Sequence, residues 1–371
     1  MTAQRTYTAK QWRHTQYASY FGYITQAIVN NLAPLLFLIF QDVYGIPLEK
    51  ITLLVTVNFC VQLLVDMVAA RFVDKIGYRP CIVAAHLFAA AGLAGLGLLP
   101  RLLPDPFVGL LGAVFLYAIG GGLIEVLISP IVEACPTDNK ASVMSLLHSF
   151  YCWGSVGVIL LSTLFLQLFG KGSWTVLALL WALLPLVNAL WFTKVPIAHL
   201  TEEGEGLPLG KLLTNKLFWI FAALMFAAGA CELSMSQWAS AFAESGLGVS
   251  KTVGDLAGPC LFAVLMGCAR VIYAKFGDRL NLLNTQMLSA GLCVVPTCWR
   301  RCPPTRCWPC WAAACAACLW AFCGPGPSAW PPAACPRGAR PCSPCWRCLG
   351  IWAAPAAPPW WAWFPAPLAG S

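Results

Sequence analysis

The sequence predicts an all-α membrane protein built from two helical bundles, and three observations carry that prediction. Apolar residues make up 59% of the 371-residue chain and charged residues only 10%, whereas soluble domains are about one quarter charged. Apolar runs of about 20 residues, the length that crosses a bilayer, follow one another with short polar gaps between them. Two stretches roughly 200 residues apart resemble each other, which is typical of duplicated membrane bundles.

Six apolar runs come before a polar linker, and each is long enough to cross a bilayer as a helix. These runs lie near residues 17–40, 51–72, 80–100, 106–130, 142–168 and 174–193. The linker, residues 194–216, combines clustered charges with Pro and Gly and predicts a solvated connection. Three further runs lie near residues 217–242, 252–274 and 282–298. We therefore expect an N-terminal six-helix bundle over residues 1–193, a partial C-terminal bundle over residues 217–296, and about nine recognisable spans.

The positive charges predict the orientation in the membrane. The formal net charge of +8 arises mainly from short gaps between spans, so it indicates orientation rather than a nucleic-acid partner. With a cytoplasmic N-terminus, thirteen Lys and Arg residues lie inside and four lie outside. The four outside residues are Lys50, Arg101, Lys171 and Lys251. The basic N-terminal residues precede an apolar run that is too long for a cleaved signal. We expect a multi-pass protein of the cytoplasmic membrane with a cytoplasmic N-terminus.

An internal repeat relates the two predicted bundles. A shift of about 200 residues aligns GIPLEKIT (residues 45–52) with GLGVSKTV (residues 246–253), and RFVDKIGYR (residues 71–79) with VIYAKFGDR (residues 271–279). Such repeats are typical of secondary transporters, whose solute site lies near the midplane between the halves. In this register Asn31 faces Glu232.

The last part of the chain, residues 297–371, has a different composition. It contains no Asp, Glu, Lys, Asn, Gln, Val or Tyr, but it holds eleven of the nineteen Cys and ten of the seventeen Trp. In a GC-rich gene, the leucine codon CTG followed by C or G becomes a Cys or Trp codon when it is read one base late. We expect a frameshift near residue 297 that replaces the last three helices of a twelve-helix protein. The C-x-x-C spacings in this tail predict no metal site, because cysteines this dense reach that spacing by chance.

One loop carries a resemblance to a known family. ARFVDKIGYRP, residues 70–80, resembles the G-x-L-x-D-R-x-G-R-R signature between the second and third helices of the major facilitator superfamily. Asp74, Gly77 and Arg79 match the signature, whereas Ala70 and Tyr78 differ from it. Gly lets two helix ends approach closely, and Asp and Arg there can pair with each other and with helix dipoles. The resemblance implies two six-helix bundles, of which the second is incomplete here.

Within that superfamily the chain resembles the fucose, galactose and glucose proton symporter branch most. In QAIVNNLAPLLF (residues 26–37), Asn30, Asn31 and Leu32 match the first-helix pattern N-N-L-N-D. Ala33 and Pro34 replace the Asn and the proton-coupling Asp of that pattern. This helix therefore lacks the carboxylate through which the resemblance would imply proton coupling.

Two more segments resemble the same branch. GGLIEVLISP (residues 121–130) resembles the fourth-helix pattern G-x-x-E-x-x-x-N-P, in which Glu125 and Pro130 match and Ser129 replaces Asn. LLHSFYCWG (residues 146–154) resembles the fifth-helix pattern L-x-Q-x-F-N-x-x-G, with His148 in place of Gln and Tyr151 in place of Asn. The resemblance implies that Glu125 is the substrate or proton carboxylate.

Polar residues within the spans are the candidate site residues. A charge deep in a span costs about 2.5 to 3.5 kcal/mol on insertion scales and is functional by default, although a structural carboxyl between helices is the alternative for Glu125. The expected substrate or proton pathway comprises Glu125, Asn31, Asn30, Gln26, Glu232, Gln237, Trp238, His148 and Tyr151. Asn58, Gln62 and Asp66 share one helix face, and they either line the pathway or join helices, with the second role favoured.

These observations together predict a secondary active transporter. We expect it to move a small, sugar-like solute by alternating access, with proton coupling through Glu125, and to act as a monomer within the lipid bilayer. The alternatives are a drug or metabolite exporter of the same superfamily, a non-functional product of a frameshifted gene, and a membrane sensor. No nucleophile, phosphate loop or ligand cluster stands out, so we expect no enzyme activity, no cofactor and no nucleic-acid partner.

Overall fold

The computed structural model describes residues 7–137, 140–198, 219, 223, 229, 236–241, 243–245 and 248–276. Every regular element in these ranges is helical. The first half of the chain contains helices α1 (Ala9–Leu35), α2 (Phe37–Tyr44), α3 (Leu48–Ile76), α4 (Tyr78–Leu102), α5 (Pro106–Glu133), α6 (Lys140–Phe169) and α7 (Trp174–Phe192). The second half contributes the Gln237 segment, defined as helical residues 236–241 and 243–245, and then α8 (Lys251–Asp255) and α9 (Leu261–Phe276).

The described residues hold six helices that are long and apolar enough to cross a membrane. The pair α1 and α2, bent by 45°, is a seventh candidate as one broken span. These helices confirm the all-helical membrane architecture. Five of the six, together with the bent pair, lie at the six runs predicted in the first half, and the sixth, Lys251–Ile272, lies at the run predicted near residues 252–274. The predicted span near residues 217–242 is described only in part. The span near residues 282–298 and the expected frameshift near residue 297 lie outside the described residues and stay predictions.

Local sequence signals set where these helices begin and end. Asp105 caps α5 by accepting a hydrogen bond from the Phe107 backbone N–H at 2.9 Å, and Pro106 occupies the first helical position, where its missing N–H costs nothing. Gly77 separates α3 from α4 with a φ of +98°, a backbone conformation that favours glycine. The chain therefore reverses at Gly77 without an intervening loop.

Successive long helices run in opposite directions, so the connections between them lie at the two ends of the bundle. The linker end is defined by the start of α1 and the ends of α3, α5, α7 and α9. Thr15 of α1 donates there to the backbone carbonyl of Pro196 at 2.6 Å. The linker-distal end is defined by the end of α2, the end of α6 and the start of α8. The aligned segments GIPLEKIT (residues 45–52) and GLGVSKTV (residues 246–253) lead into α3 and α8, which both start at the linker-distal end.

Helices α4 and α5 pack closely because glycines lie at their contact. A Cβ atom at Gly92 would overlap the backbone nitrogen of Tyr117. A Cβ at Gly120 would lie 2.6 Å from the Ala85 carbonyl oxygen. Small residues at such contacts let two membrane helices approach backbone to backbone. This contact fixes the rotation of α5, and therefore the direction in which its polar residues face.

Candidate functional site

Four buried amides form a hydrogen-bonded cluster between α1 and α3, which we call the amide cluster. Its members are Gln26, Asn30, Asn58 and Gln62, all at most 7% exposed. Gln62 Nε2 donates to Asn30 Oδ1 and to Asn58 Oδ1, at 3.0 Å each. Gln26 Nε2 donates to Gln62 Oε1 at 3.2 Å. Both pairs are spaced i, i+4, so each helix presents its amides on one face towards the other.

A small cavity adjoins this cluster and touches both halves of the chain. It is lined by Val29, Asn30, Ala33, Pro34, Phe37, Leu54, Val55, Asn58, Tyr117 and Gln237. None of these lining residues is charged. The cavity measures about 10 Å³, which is roughly the room that one ordered water needs. A sugar-sized solute does not fit in this volume.

Glu125 lies on the face of α5 that packs against α1. Gly121, one turn earlier, comes so close to α1 that a Cβ there would lie 3.1 Å from Gln26 Oε1. Ser129, one turn later, shares a hydrogen bond of 2.9 Å with the Tyr23 hydroxyl of α1. Since residues four apart share a helix face, Glu125 faces the space between α1 and α5.

The side chain of Glu125 is half-buried, as are Leu123 and Val126 on the same helix. Ile124, Leu127 and Ile128 are each 0% exposed, and Gly121 and Ser129 on the same stripe are buried as well. Glu125 therefore lies between two buried positions of its own stripe and keeps part of its side chain accessible. A carboxylate at such a position agrees with the expectation that membrane-embedded charges face a cavity or a partner.

His148 and Tyr151, on α6, are both half-buried. Tyr23 of α1 connects His148 to the part of α5 that carries Glu125. The rings of Tyr23 and His148 meet edge to face, with their centroids 5.2 Å apart. Tyr23 thus contacts Ser129 of α5 and His148 of α6 at once. The structure brings three predicted helices together here.

The adjacent residues Asn30 and Asn31 serve different contacts, as their separation of about 100° around the helix requires. Asn30 joins the amide cluster and lines the cavity. Asn31 Nδ2 donates to Ser155 Oγ of α6 at 3.1 Å and to the Ala27 carbonyl at 2.9 Å. The structure therefore places Asn31 at the contact between α1 and α6, away from the cavity lining.

Gln237 and Trp238 are residues of the second half that contact the first half at or near the cavity. Gln237 Nε2 donates to the backbone carbonyl of Asn30 at 2.9 Å and lines the cavity. Trp238 is 6% exposed, and its ring lies 5.6 Å from that of Phe37. The predicted partner Glu232 lies outside the described residues.

A buried His86 and Asn188 pair is absent from the predicted site residues. His86 Nδ1 donates to the Ile82 carbonyl at 2.8 Å, and its Nε2 accepts from Asn188 Nδ2 at 2.9 Å. Asn188 Nδ2 also donates to the Ala18 carbonyl at 3.1 Å. The pair joins α1, α4 and α7. In the sequence, His86 and Asn188 are polar residues in two separate apolar runs. That pattern does not show that the two side chains contact each other.

The loop motif places Arg79 at the end of α7. Arg79 Nη1 donates to the carbonyls of Phe192 at 3.2 Å and Thr193 at 2.7 Å. A cation at a helix C-terminus also interacts favourably with the helix dipole. The side chain of Asp74 lies outside the described residues, so its predicted pairing with Arg79 stays a prediction.

Comparison with known proteins identifies the family of this fold. A family model described as Major Facilitator Superfamily matches residues 19–342. The chain belongs to the major facilitator superfamily. A search of curated proteins gave no match.

Solved transporters of the superfamily share its architecture. The fucose:proton symporter FucP of E. coli superposes with a TM-score of 0.66 at 12% identity, over 94% of this chain and 90% of FucP. The xylose transporter XylE from E. coli, in a partially occluded inward-open conformation, gives a TM-score of 0.72 at 12% identity, over 94% and 90%. A bacterial homologue of the human lysosomal transporter Spinster gives 0.67 at 13% identity, over 95% and 82%. These likenesses show the fold.

Proposed function

We propose that this chain is a secondary active transporter that carries a neutral, sugar-like solute through the site around the amide cluster. The superfamily fold supports transport by a membrane protein of two halves. The solved sugar symporters with a similar fold motivate a sugar, and the chemistry of the cavity argues for one independently.

The observation that carries the proposal is the uncharged, amide-rich lining of a cavity between the halves. Asn30, Asn58 and Gln237 each bring both donors and acceptors, and Tyr117 brings a phenol that does either. A sugar hydroxyl also donates and accepts, so such a lining can bind a ring of hydroxyls. An anionic solute would instead require a cation, and the described lining residues include none.

Movement of the two halves would create the room that the solute needs. The cavity of about 10 Å³ has to expand, and rocking of two bundles about a midplane site does this in secondary transporters. Gln237 of the second half already contacts Asn30 of the first. Separation of that contact would open the amide cluster to a solute.

Glu125 is the carboxylate that we assign to proton coupling. Its side chain is half-buried on the face of α5 towards α1, one turn from the contact with Gln26. The excess of Lys and Arg at the linker end supports a cytoplasmic N-terminus. In that orientation, within the cytoplasmic membrane, the linker-distal end faces outwards. The pathway lies within one chain, which supports a monomeric transporter.

Uptake into membrane vesicles tests this function. Vesicles with the full-length chain should accumulate at least one radiolabelled hexose when the outside is acidified, and a protonophore should abolish the accumulation. Asn58→Ala should reduce uptake strongly, because it removes one side of the amide cluster. Thr56→Val is the matched control on α3, since the Thr56 hydroxyl bonds only the Thr52 carbonyl of its own helix.

The same vesicles separate this proposal from its rival. Energised extrusion of hydrophobic dyes without uptake of any hexose would support a drug or metabolite exporter and overturn the proposal. Hexose uptake that Asn58→Ala leaves unchanged would place the solute elsewhere.

A further inference from the structure

The first span bends where its backbone lacks an internal donor. Pro34 has no N–H, so the carbonyl of Asn30, four residues earlier, loses its helical partner. The helix then breaks at Leu36 between α1 and α2, with a bend of 45°. Leu35, the last residue of α1, has its carbonyl at this break. Two carbonyls near the linker-distal end are thus available to donors from elsewhere.

Both carbonyls accept hydrogen bonds from the second half of the chain. Gln237 Nε2 donates to Asn30 O at 2.9 Å. Lys251 Nζ donates to Leu35 O at 2.7 Å. Unpaired carbonyls are costly away from water. The bend therefore gives the second half two acceptors that a straight helix would not offer.

Asp255 holds Lys251 in position. Its carboxylate is 1% exposed and lies 3.2 Å from Lys251 Nζ. Thr163 of α6 donates to Asp255 Oδ2 at 3.0 Å, and the Ser240 hydroxyl of the Gln237 segment donates to Oδ1. Burying a carboxylate is costly unless it is paired and hydrogen-bonded. Asp255 thereby ties α6, α8 and the Gln237 segment to one ammonium group.

A second break follows directly after Asp255. Leu256–Cys260 forms a π-helix that contains Pro259. In a π turn each backbone N–H bonds to the carbonyl five residues earlier. This change of pairing can accommodate a proline, which has no N–H to donate. The first span and the span that starts at Lys251 thus both deviate from a regular α-helix beside the same ion pair. Such breaks are where membrane helices bend.

Three contacts nearer the surface lie at the same end. Lys171 lies 3.9 Å from Asp42 and 3.8 Å from Glu244, and its side chain is 53% exposed. Gln167 donates to the Thr252 hydroxyl at 2.7 Å. Exposed ion pairs at such distances contribute little. The buried set around Asp255 is therefore the stronger connection between the halves at this end.

We propose that Gln237, Lys251 and Asp255, together with the bent first span, form the gate that closes the linker-distal end of the transport pathway. This inference rests on the proposed function and adds the device that controls access to its site. Opening the gate separates Lys251 from Leu35 O and Gln237 from Asn30 O. The Asn30 carbonyl then faces the widened cavity, where water or a solute hydroxyl replaces the amide of Gln237.

Hydrogen–deuterium exchange of the purified full-length protein in detergent tests the gate. In Lys251→Met and in Asp255→Asn, peptides that cover residues 31–44 and 248–260 should exchange at least about threefold faster than in the wild type. Peptides at the linker end, residues 9–20 and 186–198, should exchange more slowly or at the same rate, because opening at one end accompanies closure at the other. Gln237→Leu should also speed exchange of the linker-distal peptides, although it removes no charge.

Other patterns of exchange would overturn the gate. Faster exchange at both ends would indicate general destabilisation, and unchanged exchange at the linker-distal end would show that the contacts do not close it. Failure of all three variants to give folded, monodisperse protein would assign these residues to the fold rather than to a gate.

Lys171→Met is the matched control at the same end. It removes a lysine from the exposed contacts around the gate, and it should leave both sets of peptides unchanged. The exchange measurement needs no solute, so its result is independent of the uptake assay. A functional transporter with unaltered exchange in the variants would reject the gate alone. Altered exchange without hexose uptake would reject the proposed solute alone.

Discussion

The side-chain amide of Gln237 donates to the backbone carbonyl of Asn30 over 2.9 Å and takes the place of the N–H that Pro34 lacks. A single imino acid in the first span thus creates an acceptor that a residue from the other half of the chain satisfies. Pro34 lines the same cavity as Asn30 and Gln237. Pro34, one of the two residues at which this helix departs from the pattern that it resembles, therefore has a structural role.

A double-mutant cycle tests this relationship. Gln237→Leu should lower the free energy of unfolding by about 1 to 3 kcal/mol, because it leaves a buried carbonyl unpaired. In a Pro34→Ala background the restored N–H can bond to Asn30 O, so the same Gln237→Leu change should cost clearly less. Denaturant unfolding in detergent measures all four proteins. Equal costs in the two backgrounds would contradict the pairing.

Glu125→Gln should abolish proton-driven solute accumulation while the protein still inserts normally. The amide has nearly the same shape but does not bind and release a proton at neutral pH. Uptake with and without an imposed pH gradient measures the effect. Glu133→Gln, at the exposed end of the same helix, should retain coupling. Normal gradient-driven accumulation by Glu125→Gln would assign Glu125 a structural role.

Gly92→Ala should destabilise the first half by about 1 to 3 kcal/mol, because the added methyl group overlaps the backbone of Tyr117 and forces α4 and α5 apart. Gly157→Ala is the control, since a Cβ there meets nothing within 4 Å. Thermal unfolding in detergent compares the two. If both variants unfold like the wild type, the close contact of α4 with α5 is wrong.

Arg79→Ala should lower stability by about 1 kcal/mol, because the last carbonyls of α7 lose both their donor and a favourable charge. Arg101→Ala removes an exposed arginine at the opposite end of the same helix and should have little effect. Thermal unfolding of both variants at low salt measures the difference. Similar losses for the two substitutions would argue against a specific role for Arg79.

The thiol of Cys135 should resist alkylation in the folded protein. Cys135 follows α5 at the linker end and is 0% exposed, and burial raises its pKa to about 11. The reactive thiolate is therefore scarce at pH 7.5 and forms only as the pH approaches 11. Mass spectrometry of the peptide after iodoacetamide treatment measures this reactivity. The unfolded chain, in which the thiol is exposed, should react rapidly, and equal rates in both states would contradict the burial.

Several site features were accessible to sequence reasoning because they depend on local chemistry. A carboxylate in an apolar run is visible without coordinates, and so is the i, i+4 spacing of Asn58 and Gln62. The sequence interpretation favoured a role for these two amides in joining helices. In the structure both amides donate to Asn30 Oδ1 of α1, and Asn58 also lines the cavity.

Other features depend on contacts between distant residues. Lys251 entered the sequence interpretation as a positive charge in an outside loop and as part of the repeated segment GLGVSKTV, and Asp255 did not enter it. Their importance comes from Leu35, Thr163 and Ser240, which lie on three different elements. Sequence spacing does not show which distant side chains contact each other, because these contacts depend on how each helix is rotated and tilted.

The amino-acid sequence by itself determined the membrane class, the number and order of the spans in the first half and the family motif, because the cost of burying backbone and charge in lipid imposes long apolar helices. Only the tertiary structure decided which polar residues meet. It separated Asn30 from Asn31, turned Glu125 towards α1 and joined Gln237 to the bent first span. The physical reason is that lipid solvates every apolar helix surface about equally well. Close packing and buried hydrogen bonds alone therefore select how the helices face one another.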